Sequence, residues 1–204
     1  MKILFLTFTL LACNVWGAID VNVVSRAEKY LNTVQNLRGS FSQTSSNGMK
    51  DSGEFYLSRP GKMRLEYQTP MTIVSDGKRL IYHDKSLDQI THLALDSIPA
   101  GILFRPHIRL KGKDIKVLKT EYKDGFAELT VAMSDDPGAG SLKMYFTNKA
   151  FSLRGWQVKD ASGLVTRVTL NDVKEVGALK KSLFKINRHK TQGIEGTRKS
   201  NKFY

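Results

Sequence analysis

The chain has 204 residues, 41% of them hydrophobic, so it is long enough to bury a substantial core within one domain. Its formal net charge of +13 results from 32 Lys and Arg against 19 Asp and Glu, a balance typical of proteins that meet nucleic acid, an anionic membrane surface or an acidic partner. The single cysteine, Cys13, excludes an internal disulfide, so core packing must stabilise the fold.

The first residues are typical of a secretory signal peptide. Met1 and Lys2 precede an apolar run over residues 3–12 that is too short to span a bilayer, and small residues follow it. We predict a signal peptide over residues 1–17, and an exported chain is not expected to bind nucleic acid. The alternative is a lipobox at residues 10–13, in which Cys13 would be acylated and would anchor the chain.

One amphipathic helix is predicted near the start of the mature chain, over residues 20–37. Its apolar residues recur at steps of three and four, and either Asp20 or Asn22 is suited to cap the first turn. We expect Arg38 and Gly39 to end it, because glycine is common just past the C-terminus of a helix.

After residue 39 the apolar residues alternate with polar ones, which predicts strands with one apolar face. The clearest alternation covers residues 54–58, 62–67 and 142–146. Turn dipeptides separate the strands: Asn47-Gly48, Pro60-Gly61, Asp76-Gly77, Asp124-Gly125, Pro137-Gly138 and Ser162-Gly163. Turns at this spacing, with few helices between them, predict antiparallel hairpins in a mainly β domain of the α+β type.

A short apolar segment interrupts the strands at residues 96–106. It begins with the cap-like pair Asp96-Ser97, and its prolines and Gly101 limit it to a turn or two of helix.

No motif for catalysis or metal binding is recognisable. The four histidines stand in none of the usual zinc-ligand spacings, although His83 and His92 could meet across a hairpin. No serine has a nucleophile-elbow context, and residues 138–140 lack the strand and helix that flank a phosphate loop. The sequence therefore predicts a binding protein and not an enzyme, with no cofactor and no metal.

The residues after the helix contain an ordered set of short motifs. F-x-Q occupies residues 41–43, G-x-F-x-L-x-R-P occupies residues 53–60, Pro70 precedes Val-Ser-Asp-Gly-Lys at 74–78, and Asp88-Gln89 closes the set. This order resembles the LolA family of periplasmic carriers of outer-membrane lipoproteins. The resemblance covers roughly residues 22–187, and it is stronger in the first half than in the second.

The resemblance implies an incomplete antiparallel half-barrel with a helical lid over an apolar cavity. In that family the cavity receives the acyl chains of lipoproteins from an inner-membrane release complex, and the protein, a chaperone, delivers them to an outer-membrane acceptor. A monomeric, periplasmic carrier domain is then expected over residues 18–187, followed by a flexible basic tail at residues 188–204.

The resemblance also indicates site residues. Arg59 falls on the family's arginine that latches the lid, and its five donors can reach carbonyls on a neighbouring helix. The lid, residues 98–104, contributes Ile98, Pro99, Ile102, Leu103 and Phe104. The candidates for the cavity wall are apolar residues of two predicted strands: Phe55, Leu57, Met63, Leu65 and Tyr67. Each of these is equally compatible with an ordinary core position under the helix, and the sequence leaves both interpretations open.

Two other functions remain compatible with the same architecture. An acylated Cys13 would make the protein a membrane-anchored acceptor of the LolB type. A half-barrel that senses lipids without transporting them is the other alternative.

Overall fold

A helix opens the part of the chain that a computed structural model describes, residues 19–186. Helix α1 spans Val21–Thr33, and the side chain of Asp20 caps it by accepting hydrogen bonds from the backbone N–H groups of Asn22 and Val23. The predicted cap at Asp20 is therefore confirmed. The predicted signal peptide, Cys13 and the predicted tail lie outside the described residues.

The predicted end of α1 is wrong. The helix stops at Thr33, and Val34 already has extended backbone angles, so Leu37, Arg38 and Gly39 belong to the first strand. Gly39 is required for a different reason than a helix stop. A Cβ at this position would lie 2.5 Å from the carbonyl oxygen of Asn171 and 2.7 Å from the ring of Phe55. Strand pairing and tight packing therefore override the apolar spacing that extended the predicted helix.

Within residues 19–186, eleven strands follow α1, and all their pairings are antiparallel. Their bounds are β1 Asn36–Ser45, β2 Lys50–Ser58, β3 Lys62–Tyr67, β4 Met71–Asp76, β5 Arg79–Asp84, β6 Gln89–Ala94, β7 Ile115–Lys123, β8 Phe126–Met133, β9 Gly140–Thr147, β10 Leu153–Asp160 and β11 Val165–Glu175. Short 3₁₀ helices lie at Leu95–Ser97, Pro99–Phe104, Pro137–Ala139 and Lys181–Phe184.

The strands form one sheet in the order β6-β5-β4-β3-β2-β1-β11-β10-β9-β8-β7. Every neighbouring pair except one is adjacent in sequence. The exception is β1 with β11, which pairs Phe41 with Leu170. Strands β6 and β7 are the two edges, so the sheet does not close into a barrel, and the predicted mainly β, incomplete antiparallel architecture is confirmed.

The connections between strands agree with the predicted turns. Each of the six turn dipeptides lies between consecutive antiparallel strands, and the short apolar segment forms the 3₁₀ helices between β6 and β7. The tip at residues 138–140 joins β8 to β9 and is not a phosphate loop.

The hydrophobic core fills the space between α1 and strands β8 and β9, which we call the filled region. Helix α1 buries Val23, Val24, Ala27 and Leu31 there. The ring of Phe146 stacks on Phe151 with centroids 4.8 Å apart and meets Tyr30 edge-on at 6.0 Å. These contacts make this part of the sheet a solid core, because its fully buried side chains interdigitate. The strand residues with no exposed surface include Leu129, Val131, Leu142, Met144 and Phe146.

Candidate ligand cavity and its lid

The lid and the inner face of the sheet enclose a cavity of about 360 Å³. We call this part of the molecule the cavity region. The sheet supplies its walls from β3, β4 and β5 on one side and from β10 and β11 on the other. The lining is mostly apolar: Met63, Leu65, Tyr67, Ile73, Leu80, Tyr82, Ile98, Pro99, Ala100, Phe104, Trp156, Val158, Leu164 and Val168, with Gln43, Asp160 and Thr166 as its polar members.

The lid is the 3₁₀ helix Pro99–Phe104 together with Ile98. Pro99 suits the first helical position, because it has no N–H to satisfy there. Gly101 lies against the preceding 3₁₀ turn Leu95–Ser97, since a Cβ at residue 101 would be only 1.8 Å from the carbonyl oxygen of Leu95. Phe104 points to the sheet and meets Trp156 edge-on, with ring centroids 6.2 Å apart. The sequence therefore builds a short lid that packs by apolar contact.

Two hairpin tips support the end of the lid. Gly61 in the β2–β3 turn has a φ of 72°, and a Cβ there would lie 2.8 Å from the Cα of Gly77 in the β4–β5 turn and 3.0 Å from the carbonyl oxygen of Phe104. The hydroxyl of Ser75 donates a hydrogen bond of 2.8 Å to the carbonyl of Gly61. Glycine is needed at residue 61, because both its backbone angle and the close approach exclude a side chain.

Arg59 follows the last residue of β2 and reaches the C-terminal end of the lid. Its Nη1 donates a hydrogen bond of 3.2 Å to the carbonyl oxygen of Arg105, the residue that caps the lid. Within residues 19–186, its buried Nε and Nη2 have no hydrogen-bond partner. Burial lowers the pKa of Arg59 to about 10, and Tyr30 acts in the opposite direction. A charged group thus touches the lid while it is poorly solvated.

The two tyrosine hydroxyls that line the cavity are neutral. The hydroxyl of Tyr67 donates to the side-chain oxygen of Gln43 at 2.8 Å, and burial raises the pKa of Tyr67, with neighbouring Tyr82 and Asp51 acting in the same direction. Burial also raises the pKa of Tyr82. Both phenols therefore remain uncharged at neutral pH, which suits an apolar ligand.

The structure separates the predicted cavity residues into two groups. Met63, Leu65 and Tyr67 line the cavity, whereas Phe55 and Leu57 are buried in the adjoining core and do not. In the lid, Ile98, Pro99 and Phe104 face the cavity, and Ile102 and Leu103 are fully packed behind them, at 0% and 2% exposure.

Sequence reasoning missed the opposite wall. Trp156 and Val158 alternate along β10, and Val168 lies on β11. An alternating pattern at these positions was available as a signal, but it predicts only a buried face, because the sheet must first bring β10 and β11 opposite β3.

A second depression of about 800 Å³ lies on the outer face of the sheet, beside the C-terminal 3₁₀ helix. Six of the eleven residues that line it are charged. Glu66 forms ion pairs with Arg64 and Lys85, and Arg64 also donates to the carbonyl of Leu183 at 3.0 Å. An ion-paired groove is a poor site for an acyl chain, because its charges would lose solvation without gaining partners.

The described part of the chain offers no metal site. Residues 19–186 contain no cluster of three or more His, Cys, Asp or Glu side chains placed to hold a metal ion. His83 pairs with Ile90 and His92 pairs with Ile81, so the two histidines are not directly opposite each other on β5 and β6. No helix among these residues is long and apolar enough to cross a membrane.

An open antiparallel half-barrel with a lidded apolar cavity defines the structural class of this protein. The family model for the outer membrane lipoprotein carrier protein LolA matches residues 32–187, and the chain belongs to the LolA family.

Individual relatives agree with this assignment. An outer-membrane lipoprotein carrier protein of Chromobacterium violaceum is 30% identical over 198 residues, which cover 90% of this chain and 93% of the relative. One from Dechloromonas aromatica is 30% identical over 183 residues, 83% of each chain. A crystal structure of an uncharacterized conserved protein from Thermus thermophilus has the same fold, with a TM-score of 0.51 at 12% identity, covering 84% of this chain and 95% of that one.

Proposed function

We propose that the protein is a periplasmic carrier chaperone that holds the acyl chains of lipoproteins and delivers them to the outer membrane. The observation that supports this proposal most directly is the apolar cavity under the lid, in a chain that belongs to the LolA family. The relatives named as outer-membrane lipoprotein carrier proteins support the cargo. In this proposal the protein works as a monomer between an inner-membrane release complex and an outer-membrane acceptor, and it carries out no chemical step.

The size of the cavity constrains how cargo is held. At about 360 Å³ it is near the lower end of the roughly 300–1,000 Å³ typical of ligand sites. A methylene contributes about 0.8 kcal/mol on burial, so a fully buried sixteen-carbon chain would gain about 12 kcal/mol. Several chains held that tightly would not be released. The proposal therefore requires incomplete burial and a lid that competes with cargo for the same apolar walls.

Arg59 is proposed to set the balance between the open and the closed lid. Its guanidinium makes one hydrogen bond to the carbonyl of Arg105 and loses solvation in the closed state. Opening would break the hydrogen bond and return the charge to water, so the two effects oppose each other. We expect Arg59→Leu to change both the retention of cargo and the rate of its hand-over. Unchanged values of both would refute the role.

The cavity itself can be tested with one matched pair of substitutions. Ile73 lines the cavity and Ile90 lies on the outer face of the neighbouring sheet edge, and both are half-buried. We expect Ile73→Glu to weaken binding of a fluorescent N-palmitoylated peptide more than about ten-fold, because the carboxylate would have to be buried against the acyl chain. Ile90→Glu should bind as the wild type does. Equal binding by both variants would exclude the cavity as the acyl site.

The N-terminus distinguishes the carrier from an anchored acceptor. We propose a mature chain that begins at Ala18, after removal of residues 1–17, and that contains the carrier domain at residues 18–187 and a flexible tail at 188–204. Intact-mass measurement of the protein from its native envelope should give this unmodified chain. A lipidated Cys13 would instead support the anchored acceptor. Acylated polypeptide that co-purifies, and that can be chased to an acceptor, would favour transport over lipid sensing.

A further inference from the structure

The side chain of Arg105, directly after the lid, joins two carboxylates. One nitrogen of its guanidinium donates to Asp96 at 2.8 Å, and another donates to Asp114. The Arg105 side chain is only 16% exposed, whereas those of Asp96 and Asp114 are 80% and 58% exposed. The carboxylates thus lie at the surface, while the arginine that joins them is packed among its neighbours.

The two carboxylates belong to different parts of the molecule. Asp96 lies in the 3₁₀ turn Leu95–Ser97, which packs against Gly101 of the lid. Asp114 directly precedes β7, and its carbonyl accepts a hydrogen bond of 3.0 Å from the backbone N–H of Ser134, just after β8. Asp96 is therefore packed together with the lid, and Asp114 is held to the sheet.

The chain becomes fixed again soon after Arg105. The side chain of Asn32 in α1 accepts from the backbone N–H of Ile108 at 3.0 Å and donates to its carbonyl at 2.8 Å. Glu28 accepts from the N–H of Leu110 at 2.7 Å. Any movement of the lid is therefore confined to the stretch between the end of β6 at Ala94 and Ile108, and Arg105 lies inside this stretch.

We propose that Arg105 is a positioning residue with two separable effects on the lid. Its pair with Asp96 spans the lid from end to end and keeps the lid and the preceding turn together as one unit, whether open or closed. Its pair with Asp114 tethers that unit to the sheet and breaks when the lid opens. This deepens the proposed carrier function, on which it rests, by assigning the control of opening to a solvent-accessible ion pair.

The exposure of Asp114 sets the size of the effect. Ion pairs with an exposed partner shift an equilibrium modestly and are screened by salt. Loss of the tether should therefore raise the open population, and with it the rate of acyl capture, by up to about five-fold. A tether of this size restrains the lid and still yields to an acyl chain.

The test compares Asp114→Asn, Asp96→Asn and, as a control, Asp135→Asn at an exposed position in the β8–β9 connection, all in the mature chain, residues 18–204. Trp156, which contacts Phe104 of the lid, is the only tryptophan of that chain. Three measurements are made: the rate of capture of an N-palmitoylated peptide at low and moderate salt, the emission of Trp156 without peptide, and amide hydrogen exchange of the lid. The exchange of Gly101 is informative, because its N–H donates to the carbonyl of Ile98 inside the lid at 3.0 Å.

We expect Asp114→Asn to shift the emission of Trp156 to the red, to raise the capture rate by up to about five-fold and to remove most of its salt dependence, with little change in the exchange of Gly101. Asp96→Asn should instead speed the exchange of Gly101 with and without the peptide. Identical behaviour of the two variants, or of both and Asp135→Asn, would overturn the proposal. If the wild type failed to capture the peptide, the carrier function would fail, and the emission and exchange of the free chain would still decide the role of Arg105.

Discussion

The filled region and the cavity region belong to one continuous sheet, but its inner face is packed in the first and leaves empty space in the second. Under α1 the inner face is occupied by fully buried side chains such as Met144 and Phe146, which interdigitate with the helix. Under the lid the same kind of strand face leaves about 360 Å³ empty. The covering elements differ accordingly: a capped helix of 13 residues on one side, a 3₁₀ helix of six residues on the other. Fully buried packing is concentrated where a long amphipathic helix covers the sheet, and empty space remains where a short 3₁₀ helix covers it.

The sharpest test of this comparison substitutes two methionines of similar burial. Met144 in the filled region is 0% exposed, and Met63 in the cavity wall is 2% exposed. We expect Met144→Ala to lower the free energy of unfolding by about 2–5 kcal/mol. Met63→Ala should cost at least about 1 kcal/mol less, because the short lid beside the cavity can relax into the space that the side chain leaves. Urea denaturation of both variants gives the two values, and equal costs would show that the regions do not differ in packing.

A steric clash introduced into the lid should disturb the lid alone and leave the sheet unchanged. A Cβ on Gly101 would lie 1.8 Å from the carbonyl oxygen of Leu95. We expect Gly101→Ala to cost about 1–3 kcal/mol, and amide exchange should increase in the lid and remain unchanged in β8 and β9. Gly177→Ala is the matched control, because a Cβ there meets nothing within 4 Å. Faster exchange throughout the sheet would mean that the lid is part of the cooperative core.

A substitution at the N-cap of α1 tests the contribution of the helix that covers the filled region. Asp20 accepts hydrogen bonds from the backbone N–H groups of Asn22 and Val23. Asp20→Ala should lower the free energy of unfolding by about 1 kcal/mol, and binding of a palmitoylated peptide should not change. As a comparison, Asp136→Ala removes the cap of the short 3₁₀ helix Pro137–Ala139 and should cost less. A loss of peptide binding in Asp20→Ala would link the two regions more closely than their packing suggests.

The smallest effect is expected on the outer face of the cavity region, at Glu66. Burial acts to raise the pKa of Glu66, but hydrogen bonds and charges from Lys85 and Arg64 outweigh it and lower the pKa below its usual value. A carboxyl group with a lowered pKa in the folded state stabilises the fold above its unfolded pKa, and this contribution disappears as the pH falls through the folded value. Glu66→Gln should therefore cost up to about 1 kcal/mol at neutral pH and nothing in acid.

The control for this prediction is Glu54→Gln. Glu54 lies directly opposite Glu66 on the neighbouring strand, so its neutralisation removes a like-charge contact and should leave stability unchanged or slightly higher. A stability difference between Glu66→Gln and the wild type that persists at low pH would contradict the ion-pair explanation. Neither substitution should affect peptide binding, because Glu54 and Glu66 face away from the cavity.

Features that depend only on residues close together in sequence could be predicted from the sequence. The turn dipeptides and the cap at Asp20 are local signals, and each lies where the pattern placed it. The predicted end of α1 was wrong because Val34 and Leu37 continue the helical spacing of apolar residues. In the structure, the pairing of β1 with β2 and β11 makes the chain a strand from Asn36 onward. Such pairing depends on residues far apart in sequence, which no local pattern contains.

The candidate site shows the same limit. Met63, Leu65 and Tyr67 could be proposed from alternation along one strand, but alternation does not distinguish a cavity wall from the core in which Phe55 and Leu57 lie. The contact of Arg59 with the end of the lid agrees with the geometry that the resemblance implied, and its role remains a proposal. The ion pairs of Arg105 could not be predicted, because Asp96 and Asp114 are brought to it only by the folding of the segment between β6 and β7.

The pairing of β1 with β11 has a consequence for how the protein folds. Strands β1–β6 and β7–β11 each form a run of hairpins between sequence neighbours, which close quickly because little chain entropy is lost. The two runs meet only where residues such as Phe41 and Leu170 pair, and this step must order most of the intervening chain. The late, slow step in folding should therefore be the pairing of the preformed run β1–β6 with the preformed run β7–β11. Substitutions along β1 and β11 should then slow folding, whereas substitutions within the hairpins should mainly speed unfolding.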